Sequence, residues 1–227
     1  MKERPILFSA PMVLALLDGR KTQTRRALRD QNPIDLGAYK HGAHLSRRPV
    51  HDHGKLVGHR MATVNCPYGQ PGDRLWVRET WGYIDPDSCG EDHTKQPAGD
   101  SAFIMASPTL LAYWQRRVTF RSTWKEPAYG CGPLAPDRWR PAIHMPRWAS
   151  RLTLELTGVR VERLRLISEA DAEAEGVAGV DWGHGMDYGG KACYGKSYAQ
   201  LWDQINGAGA WEKNPFVWAL TFKRVPQ

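Results

Sequence analysis

A short polar and basic segment near the start of the chain carries the residues best suited to chemistry. Residues 19–26 read Gly-Arg-Lys-Thr-Gln-Thr-Arg-Arg, which places the amine of Lys21 three positions before the hydroxyl of Thr24. A threonine hydroxyl becomes a good nucleophile only when a base within hydrogen-bond reach removes its proton. A lysine amine can be that base if its pKa falls below the usual value of about 10.4, which burial and the neighbouring arginines favour. These residue types are able to carry out nucleophilic acyl transfer, whereas the segment taken as a basic turn would bind phosphate or simply stay solvated.

The local backbone decides whether these two side chains meet. Side chains alternate along a strand, so Lys21 and Thr24 would lie on opposite faces of a regular strand. One helical or turn-like residue between them would bring them together, and Gly19 makes an irregular backbone plausible. A helix with Pro11 at its first position and Leu17 near its end is expected to precede the segment.

Acyl transfer also requires a proton donor for the leaving nitrogen, and an acidic helix late in the chain offers candidates. Ser168 begins a variant of the capping box, and we expect the helix to run through Glu175. A carboxyl with a raised pKa can protonate a leaving amine. Glu175 and Glu173 are both candidates, although a surface carboxylate on an acidic helix is the ordinary alternative. Arg26 or backbone N–H groups could stabilise the oxyanion.

A second set of candidates could contact a substrate. Its members are Trp76, Arg78, Glu79, Trp81 and His144. Aromatic faces stack on bases, and a carboxylate accepts from an exocyclic amine. Alternation places Trp76 and Arg78 on one face and Glu79 and Trp81 on the other, so they cannot all line one pocket. Glu79 is a charged residue at a position where a core residue is expected, which favours a functional role for it. That role could include the proton donor, in place of Glu175 or Glu173. Core tryptophans and a structural histidine are the alternatives for the others.

Composition limits the class of protein. The chain has 227 residues with 31 basic and 24 acidic side chains, and its net charge of +7 favours polyanionic partners. Its longest apolar stretch is too short for a bilayer and has no cleavage site after it, so we expect no membrane segment and no signal peptide. Four scattered cysteines without a C-x-x-C pair are expected to be reduced, as in a cytoplasmic protein. His51-Asp52-His53 lacks a third ligand fixed by spacing, and we expect neither a metal nor a cofactor.

The remaining patterns predict a mixed α+β fold. Apolar alternation predicts strands over residues 152–161, as one bent strand or two, and over residues 216–222. The i, i+3, i+4, i+7 spacing predicts a helix near Ser197–Asn206. Short strands between loops, with two or three short helices, indicate a small mixed β-barrel.

Two stretches interrupt this pattern. Residues 27–65 read as an inserted loop or ribbon, and residues 82–139 as a second insertion with a strand near Val118–Thr123. Residues 138–148 are expected to be extended because their prolines disfavour a helix. We expect a single domain over residues 1–227 that carries both insertions.

In their order along the chain, these elements resemble the activating-signal-cointegrator homology (ASCH) family, a relative of the PUA fold. The usual fingerprint of that family is Gly-x-Lys-x-x-Glu-x-Arg, and this chain has Gly19, Lys21, Thr24 and Arg26, with Thr in place of Glu. The resemblance implies a small β-barrel with flanking short helices and, in this chain, long loop insertions. With Thr at this position, the motif resembles that of the small bacterial ASCH amidohydrolases, which remove the acyl group from N(4)-acetylcytidine. The chain also resembles longer ASCH proteins encoded in phages and prophages.

The resemblance implies cleavage of the acyl amide of an N(4)-acylated cytidine-type nucleoside without a metal or cofactor. Lys21 would be the base, Thr24 the nucleophile and, less securely matched, Glu175 the proton donor. The two insertions have no counterpart in the short enzymes. An RNA-binding module of PUA type, which the net charge suits, and an ASCH ribonuclease stay open as alternatives. The implied partner is an acylated pyrimidine nucleoside or RNA in the cytoplasm of a bacterial or phage-infected cell, and the sequence does not fix the oligomeric state.

Overall fold

The computed structural model describes most of the chain. The described residues are 1–29, 31, 33–35, 43–83, 118–124, 136, 138–179 and 193–226. Most of the predicted second insertion, together with Cys89 and Cys131, lies outside them.

Short helices and strands alternate along the described chain. The strands are β1 Glu3–Leu7, β2 Gln23–Ala27, β3 Pro33–Asp35, β4 Ala43–Asp52, β5 Lys55–Asn65, β6 Arg74–Arg78, β7 Trp81–Tyr83, β8 Val118–Phe120, β9 Thr153–Arg163 and β10 Phe216–Val225. The α-helices are α1 Ala10–Leu17, α2 Glu169–Ala174 and α3 Tyr194–Asn206. Single 3-10 turns cover Ala142–His144, Arg147–Ala149 and Leu164–Leu166. None of the described helices has the length and apolar character needed to cross a bilayer.

The largest sheet has five strands in the order β1-β6-β9-β10-β2. Strands β3, β4 and β5 form a second sheet, and β7 pairs with β8. Strands β2 and β10 are antiparallel, with Thr24 opposite Leu220 and Arg25 opposite Ala219. The prediction of a mixed α+β fold with short helices is confirmed, whereas the described strands do not form a closed barrel.

The chain divides into two compact units. The first comprises Met1–Arg4, Ala15–Leu75 and Leu154–Val225, and the second comprises Pro5–Leu14, Trp76–Thr153 and Pro226–Gln227. The candidates of the fingerprint and of the acidic helix therefore belong to the first unit, and those of the aromatic set belong to the second. The expectation of one domain over the whole chain stays a prediction.

Each unit has its own apolar cluster. In the first unit, residues of α2, α3 and β10 pack together, namely Leu164, Ala172, Tyr198, Trp202, Ala210 and Val217. In the second unit the cluster consists of Trp81, Met145, Trp148 and Ala149. Full burial of a large apolar side chain contributes about 1.5–3 kcal/mol, so these aromatic residues carry much of the stability of each unit.

Several local predictions agree with the structure. Helix α1 spans the expected residues, the region of residues 152–161 lies almost entirely in the single strand β9, and the closing strand is β10. The hydroxyl of Ser168 accepts a hydrogen bond from the N–H of Asp171 at 3.1 Å, as a capping residue does. In the first predicted insertion, β4 and β5 form an antiparallel hairpin that turns at His53 and Gly54, so this part is a ribbon.

One local prediction was wrong. Residues 138–148 are not extended throughout, because Pro141 and Pro146 each precede a 3-10 turn, and the φ angles of these prolines, −56° and −77°, suit that position. The helix predicted near Ser197–Asn206 is confirmed and begins at Tyr194.

Two of the four cysteines and the His51-Asp52-His53 segment lie among the described residues. Cys66 and Cys193 are free thiols, and burial raises the pKa of Cys66 to about 11, so it is a neutral thiol at physiological pH. His53 lies on the exposed hairpin with its Nδ1 at 2.8 Å from Asp52 Oδ1. Among the described residues, no three His, Cys, Asp or Glu side chains converge as metal ligands would.

Candidate functional site

Lys21 and Glu175 form a buried ion pair in the first unit. The Lys21 Nζ donates to Glu175 Oε2 at 2.8 Å and to the main-chain carbonyl of the same residue at 2.7 Å. The two side chains are 0% and 2% exposed. Lys21 and Glu175 are 154 positions apart in the sequence, and both are candidates from the sequence analysis. The fold brings them into contact.

The backbone around α1, β2 and α2 holds this pair in place. The N–H of Lys21 donates to the carbonyl of Ala15 at 3.0 Å, and the N–H of Thr22 donates to the carbonyl of Ala174 at 2.8 Å. Glu175 is the residue at which α2 ends, and Gly176 follows with a φ of +82°. A Cβ at Gly176 would lie 2.9 Å from the Cβ atoms of both Ala15 and Lys21, so the close approach of α2 requires a glycine here.

Glu175, rather than its competitor Glu173, reaches Lys21. Residues two positions apart on a helix point about 200° apart, so only one of the two carboxylates can face the sheet. Glu173 is exposed, whereas Glu175 is buried. The fold therefore separates two candidates that the sequence left open.

The second carboxylate oxygen of Glu175 is bound by Arg25. Arg25 Nη1 lies 3.2 Å from Glu175 Oε1, and the same guanidinium, 0% exposed, pairs with Glu162 at 2.8 Å and Asp171 at 3.0 Å. Arg160 bonds these last two carboxylates at 2.8 Å and 2.6 Å.

The resulting network contains three cations, Lys21, Arg25 and Arg160, and three carboxylates. A buried guanidinium is tolerated only when its donors are matched in this way. We call this set, with Glu162, Asp171 and Glu175, the six-charge network.

Burial lowers the pKa of Lys21 below its usual value. Glu175 raises this pKa through its charge and hydrogen bond, while the charges of Arg26 and Arg25 lower it further. Removal from water is the largest cause, so the net direction is the one that a lysine acting as a base requires.

Thr24 is also buried, with 2% of its surface exposed, and lies on β2 opposite Leu220. Gln23 and Arg25 both bond Asp171, at 2.8 Å and 3.0 Å, so these alternate residues face α2. Alternation then places Thr24 and Arg26 on the opposite face of β2. The structure thus joins Lys21 with Glu175 and Arg25, and the role of Thr24 stays a prediction.

In the second unit, Glu79 is buried and already bound by protein groups. Arg151 donates from Nε to Oε1 at 2.9 Å and from Nη2 to Oε2 at 3.0 Å, and the Ser122 hydroxyl donates to Oε2 as well. The Arg151 guanidinium also lies over the Phe120 ring at 4.0 Å. Both carboxylate oxygens of Glu79 thus accept hydrogen bonds from protein groups. These bonds account for the presence of a charged residue in the core.

The other candidates of the second unit occupy three different environments. Arg78 lies over the ring of Trp76 at 4.6 Å, in agreement with the prediction that they share a face, and donates to the carbonyl of Ile143 at 3.1 Å. Trp81 is 3% exposed within its apolar cluster, as a core residue. His144 is exposed at the end of a 3-10 turn.

Sequence reasoning missed one residue that contacts Glu175. Arg25 was passed over for Arg26, although the alternation of Lys21, Gln23 and Arg25 could have placed Arg25 on the face of the predicted base. Tyr198 was assigned only to the apolar stripe of its helix. Burial raises the pKa of Tyr198 well above its usual value, and the charge of Glu175 raises it further.

A polar cavity of about 280 Å³ lies elsewhere in the first unit. It is lined by Met1, Lys2, Arg4, Asn65, Cys66, Gly69, Gln70 and Asp73. The Asp73 carboxylate accepts from the N–H groups of Lys2 at 2.8 Å and Gln70 at 3.2 Å, and the Lys2 bond is the largest cause of its lowered pKa. None of the candidate site residues lines this cavity.

Comparison of the chain with family models, with curated proteins and with solved structures found no match. The ASCH resemblance therefore stays an interpretation of the motif in residues 19–26 and of the order of the elements around it.

Proposed function

We propose that the chain is an amidohydrolase that cleaves the acyl amide of an N(4)-acylated cytidine-type nucleoside, such as N(4)-acetylcytidine. The observation that carries the proposal is the buried contact of Lys21 with Glu175 at 2.8 Å. Lys21 is the proposed base and Glu175 the proposed acid. From the same motif we infer an ASCH domain with a PUA-like barrel.

Proton counting shows how this pair can supply both a base and an acid. A charged pair of ammonium and carboxylate holds one transferable proton, and so does a pair of neutral amine and carboxylic acid. Moving that proton across the 2.8 Å contact turns the first form into the second, which is the form that catalysis needs. Burial favours the neutral form, as the lowered pKa of Lys21 shows, while Arg25 stabilises the charged form.

The proposed reaction balances with these groups and one water. The first step requires the Thr24 hydroxyl, which lies on the opposite face of β2 from Arg25, to come within hydrogen-bond reach of the Lys21 amine. The hydroxyl then transfers its proton to that amine while its oxygen bonds to the acyl carbon, which gives a tetrahedral oxyanion. The C–N bond then breaks as the carboxyl of Glu175 protonates the leaving cytosine nitrogen. Water hydrolyses the threonine ester, and the products are the carboxylic acid and the free nucleoside. Arg26, on the same face of β2 as Thr24, is the proposed partner of the oxyanion.

The direct test is hydrolysis of N(4)-acetylcytidine by the purified full chain, followed by chromatography of the released cytidine. Thr24→Val keeps the shape of this buried side chain but removes the hydroxyl, and we expect a loss of at least about 1,000-fold, as for other nucleophiles. Thr22→Val is the matched control, since Thr22 is exposed just before the same strand. Equal rates for Thr24→Val and wild type, or no cytidine from wild type, would refute the proposal.

A second candidate is RNA binding, which the second unit favours through arginines that lie over aromatic rings. Arg121 lies 5.3 Å from the Trp139 ring, and Arg140 lies 5.0 Å from the Tyr83 ring. Stacked rings and guanidinium groups are the common means of holding single-stranded nucleic acid. A gel shift of single-stranded RNA that weakens with salt and persists in Thr24→Val, without hydrolysis by wild type, would favour this function. RNA degradation that is lost in Lys21→Ala would instead indicate a ribonuclease.

A further inference from the structure

The polar cavity of the first unit has a buried floor and an exposed rim. It is lined by residues from the start of β1 and from the turn between β5 and β6. Among them Cys66, Gly69 and Asp73 are buried, whereas Asn65 and Gln70 are exposed. Its volume of about 280 Å³ is many times the roughly 30 Å³ that one water molecule occupies, and it lies just below the range of about 300–1,000 Å³ that is usual for small-molecule pockets. The cavity therefore has the size of a small organic molecule rather than that of a single ion.

The Asp73 carboxylate holds the floor of this cavity together. Its Oδ1 accepts from the N–H of Lys2 at 2.8 Å, and its Oδ2 accepts from the N–H of Gln70 at 3.2 Å. A Cβ at Gly69, where φ is +111°, would lie 2.8 Å from Asp73 Oδ2, so the turn closes on this carboxylate only with a glycine here. Each oxygen of a carboxylate has about two acceptor positions, so Asp73 can accept a further hydrogen bond from a ligand.

Two cationic side chains, Lys2 and Arg4, line the same cavity. Arg4 Nη1 donates to the main-chain carbonyl of Pro67 at 3.2 Å, which ties the guanidinium to the turn. Arg4 Nε is buried and has no hydrogen-bond partner in the part of the chain that the structure describes. Nε and Nη2 form the edge of a guanidinium that binds two oxygens of a phosphate or a carboxylate at once. A buried N–H without an acceptor is costly, and a bound anion would supply the missing acceptor.

The charges of the lining define the kind of ligand that fits. Lys2 and Arg4 contribute two positive charges against the one negative charge of Asp73, and Cys66 is neutral because burial raises its pKa to about 11. The positive excess favours an anionic group, while the Asp73 carboxylate favours a hydrogen-bond donor in the same ligand. A nucleotide whose base carries an amino group has both, since its phosphate is anionic and a carboxylate accepts from the N4 amine of cytosine.

We propose that this cavity is a second binding site of the chain and takes a nucleoside monophosphate with an amino-bearing base, such as cytidine 5′-monophosphate. Lys2 and Arg4 bind the phosphate, and Asp73 accepts from the exocyclic amine of the base. Lys21, Thr24 and Glu175 do not line this cavity, so the inference goes beyond the proposed hydrolysis and does not depend on it.

The binding test is isothermal titration calorimetry of the full chain, with any purification tag at the C-terminus, against cytidine 5′-monophosphate, uridine 5′-monophosphate, cytidine and inorganic phosphate. We expect the cytidine nucleotide to bind at least about tenfold more tightly than each of the others, as one hydrogen bond to a charged group implies. Uridine presents a carbonyl oxygen to Asp73, cytidine lacks the phosphate, and inorganic phosphate lacks the base. No binding of the cytidine nucleotide, or equal affinity for it and for any of the other three, would overturn the proposal.

Variants test whether the nucleotide binds in this cavity. Arg4→Lys keeps the charge but loses the paired donors of the guanidinium, so its affinity for cytidine 5′-monophosphate should fall about tenfold. Arg20→Lys is the matched control, because Arg20 pairs with Asp18 on the surface, and it should bind as wild type does. Thr24→Val should also bind as wild type, because Thr24 does not line the cavity. Unchanged affinity in Arg4→Lys, or loss of binding in Thr24→Val, would place the nucleotide elsewhere and overturn the proposal.

A second readout uses the wild-type protein alone. Cys66 lies on the floor of the cavity, and Cys193, also a free thiol, does not line it. Alkylation with a maleimide, followed by mass spectrometry of the peptides, measures the labelling rate of each thiol. Saturating cytidine 5′-monophosphate should slow the labelling of Cys66 several-fold and leave that of Cys193 unchanged. An unchanged rate at Cys66, or equal slowing of both thiols, would overturn the proposal.

Discussion

Replacing Arg25 with methionine is expected to destabilise the protein strongly. The Arg25 side chain is 0% exposed and contacts three carboxylates, Glu162, Asp171 and Glu175, at 2.8–3.2 Å. Methionine has a similar length and no charge, so the variant leaves these carboxylates in place without their shared partner. Removing one member of a buried ion pair costs about 3–5 kcal/mol, because the remaining charges are poorly solvated. In a protein of this size, that loss lowers the Tm by about 6–20 °C.

Urea denaturation followed by circular dichroism measures this loss as a change in the free energy of unfolding. Arg20→Met is the matched control, because Arg20 forms a pair with Asp18 at 3.0 Å in which both side chains are more than half exposed. Exposed pairs contribute about 1 kcal/mol or less, and salt screens them. The Arg25→Met loss should therefore persist in 1 M salt. A loss below about 1 kcal/mol for Arg25→Met would show that the six-charge network does not carry the stability that its burial implies.

Three further predictions concern backbone conformation, alkaline stability and helix capping. Gly176→Ala should cost about 1–2 kcal/mol more than Gly54→Ala by urea denaturation, because both glycines have positive φ but only a Cβ at Gly176 meets other atoms within 4 Å; equal losses would contradict the close packing of α2. Between pH 9 and 11 wild type should lose up to about 3 kcal/mol of stability relative to Cys66→Ala, because a folded-state pKa of about 11 against 9.0 lets the unfolded state release the thiol proton first; parallel stability curves for the two proteins would show that the thiol is not desolvated. Ser168→Ala should lower the free energy of unfolding by about 1 kcal/mol through loss of the cap on Asp171 N–H, and no change would indicate that water replaces it.

Features that depend on neighbouring residues were predictable from the sequence. The ends of α1, the cap at Ser168 and the end of the acidic helix near Glu175 follow from local backbone preferences. Strand β10 follows from apolar alternation between residues 216 and 222. Local patterns were therefore sufficient wherever the interacting groups are close together in the sequence.

Features that depend on distant partners were not predictable in the same way. Arg25 is part of the network because Glu162 and Asp171 arrive from β9 and α2, and no spacing within residues 19–26 contains that information. Glu79 looked functional as a charge in the core, but its partner Arg151 is 72 positions away.

The pairing of β2 with β10 has a consequence for how the protein matures. A ribosome releases residues 23–27 well before it releases their neighbour in the sheet, residues 217–221. Until then the amine of Lys21 stays hydrated and fully charged, as in any unfolded chain. In the nascent chain Lys21 is therefore protonated and cannot act as a base. Its pKa falls only when folding buries the side chain.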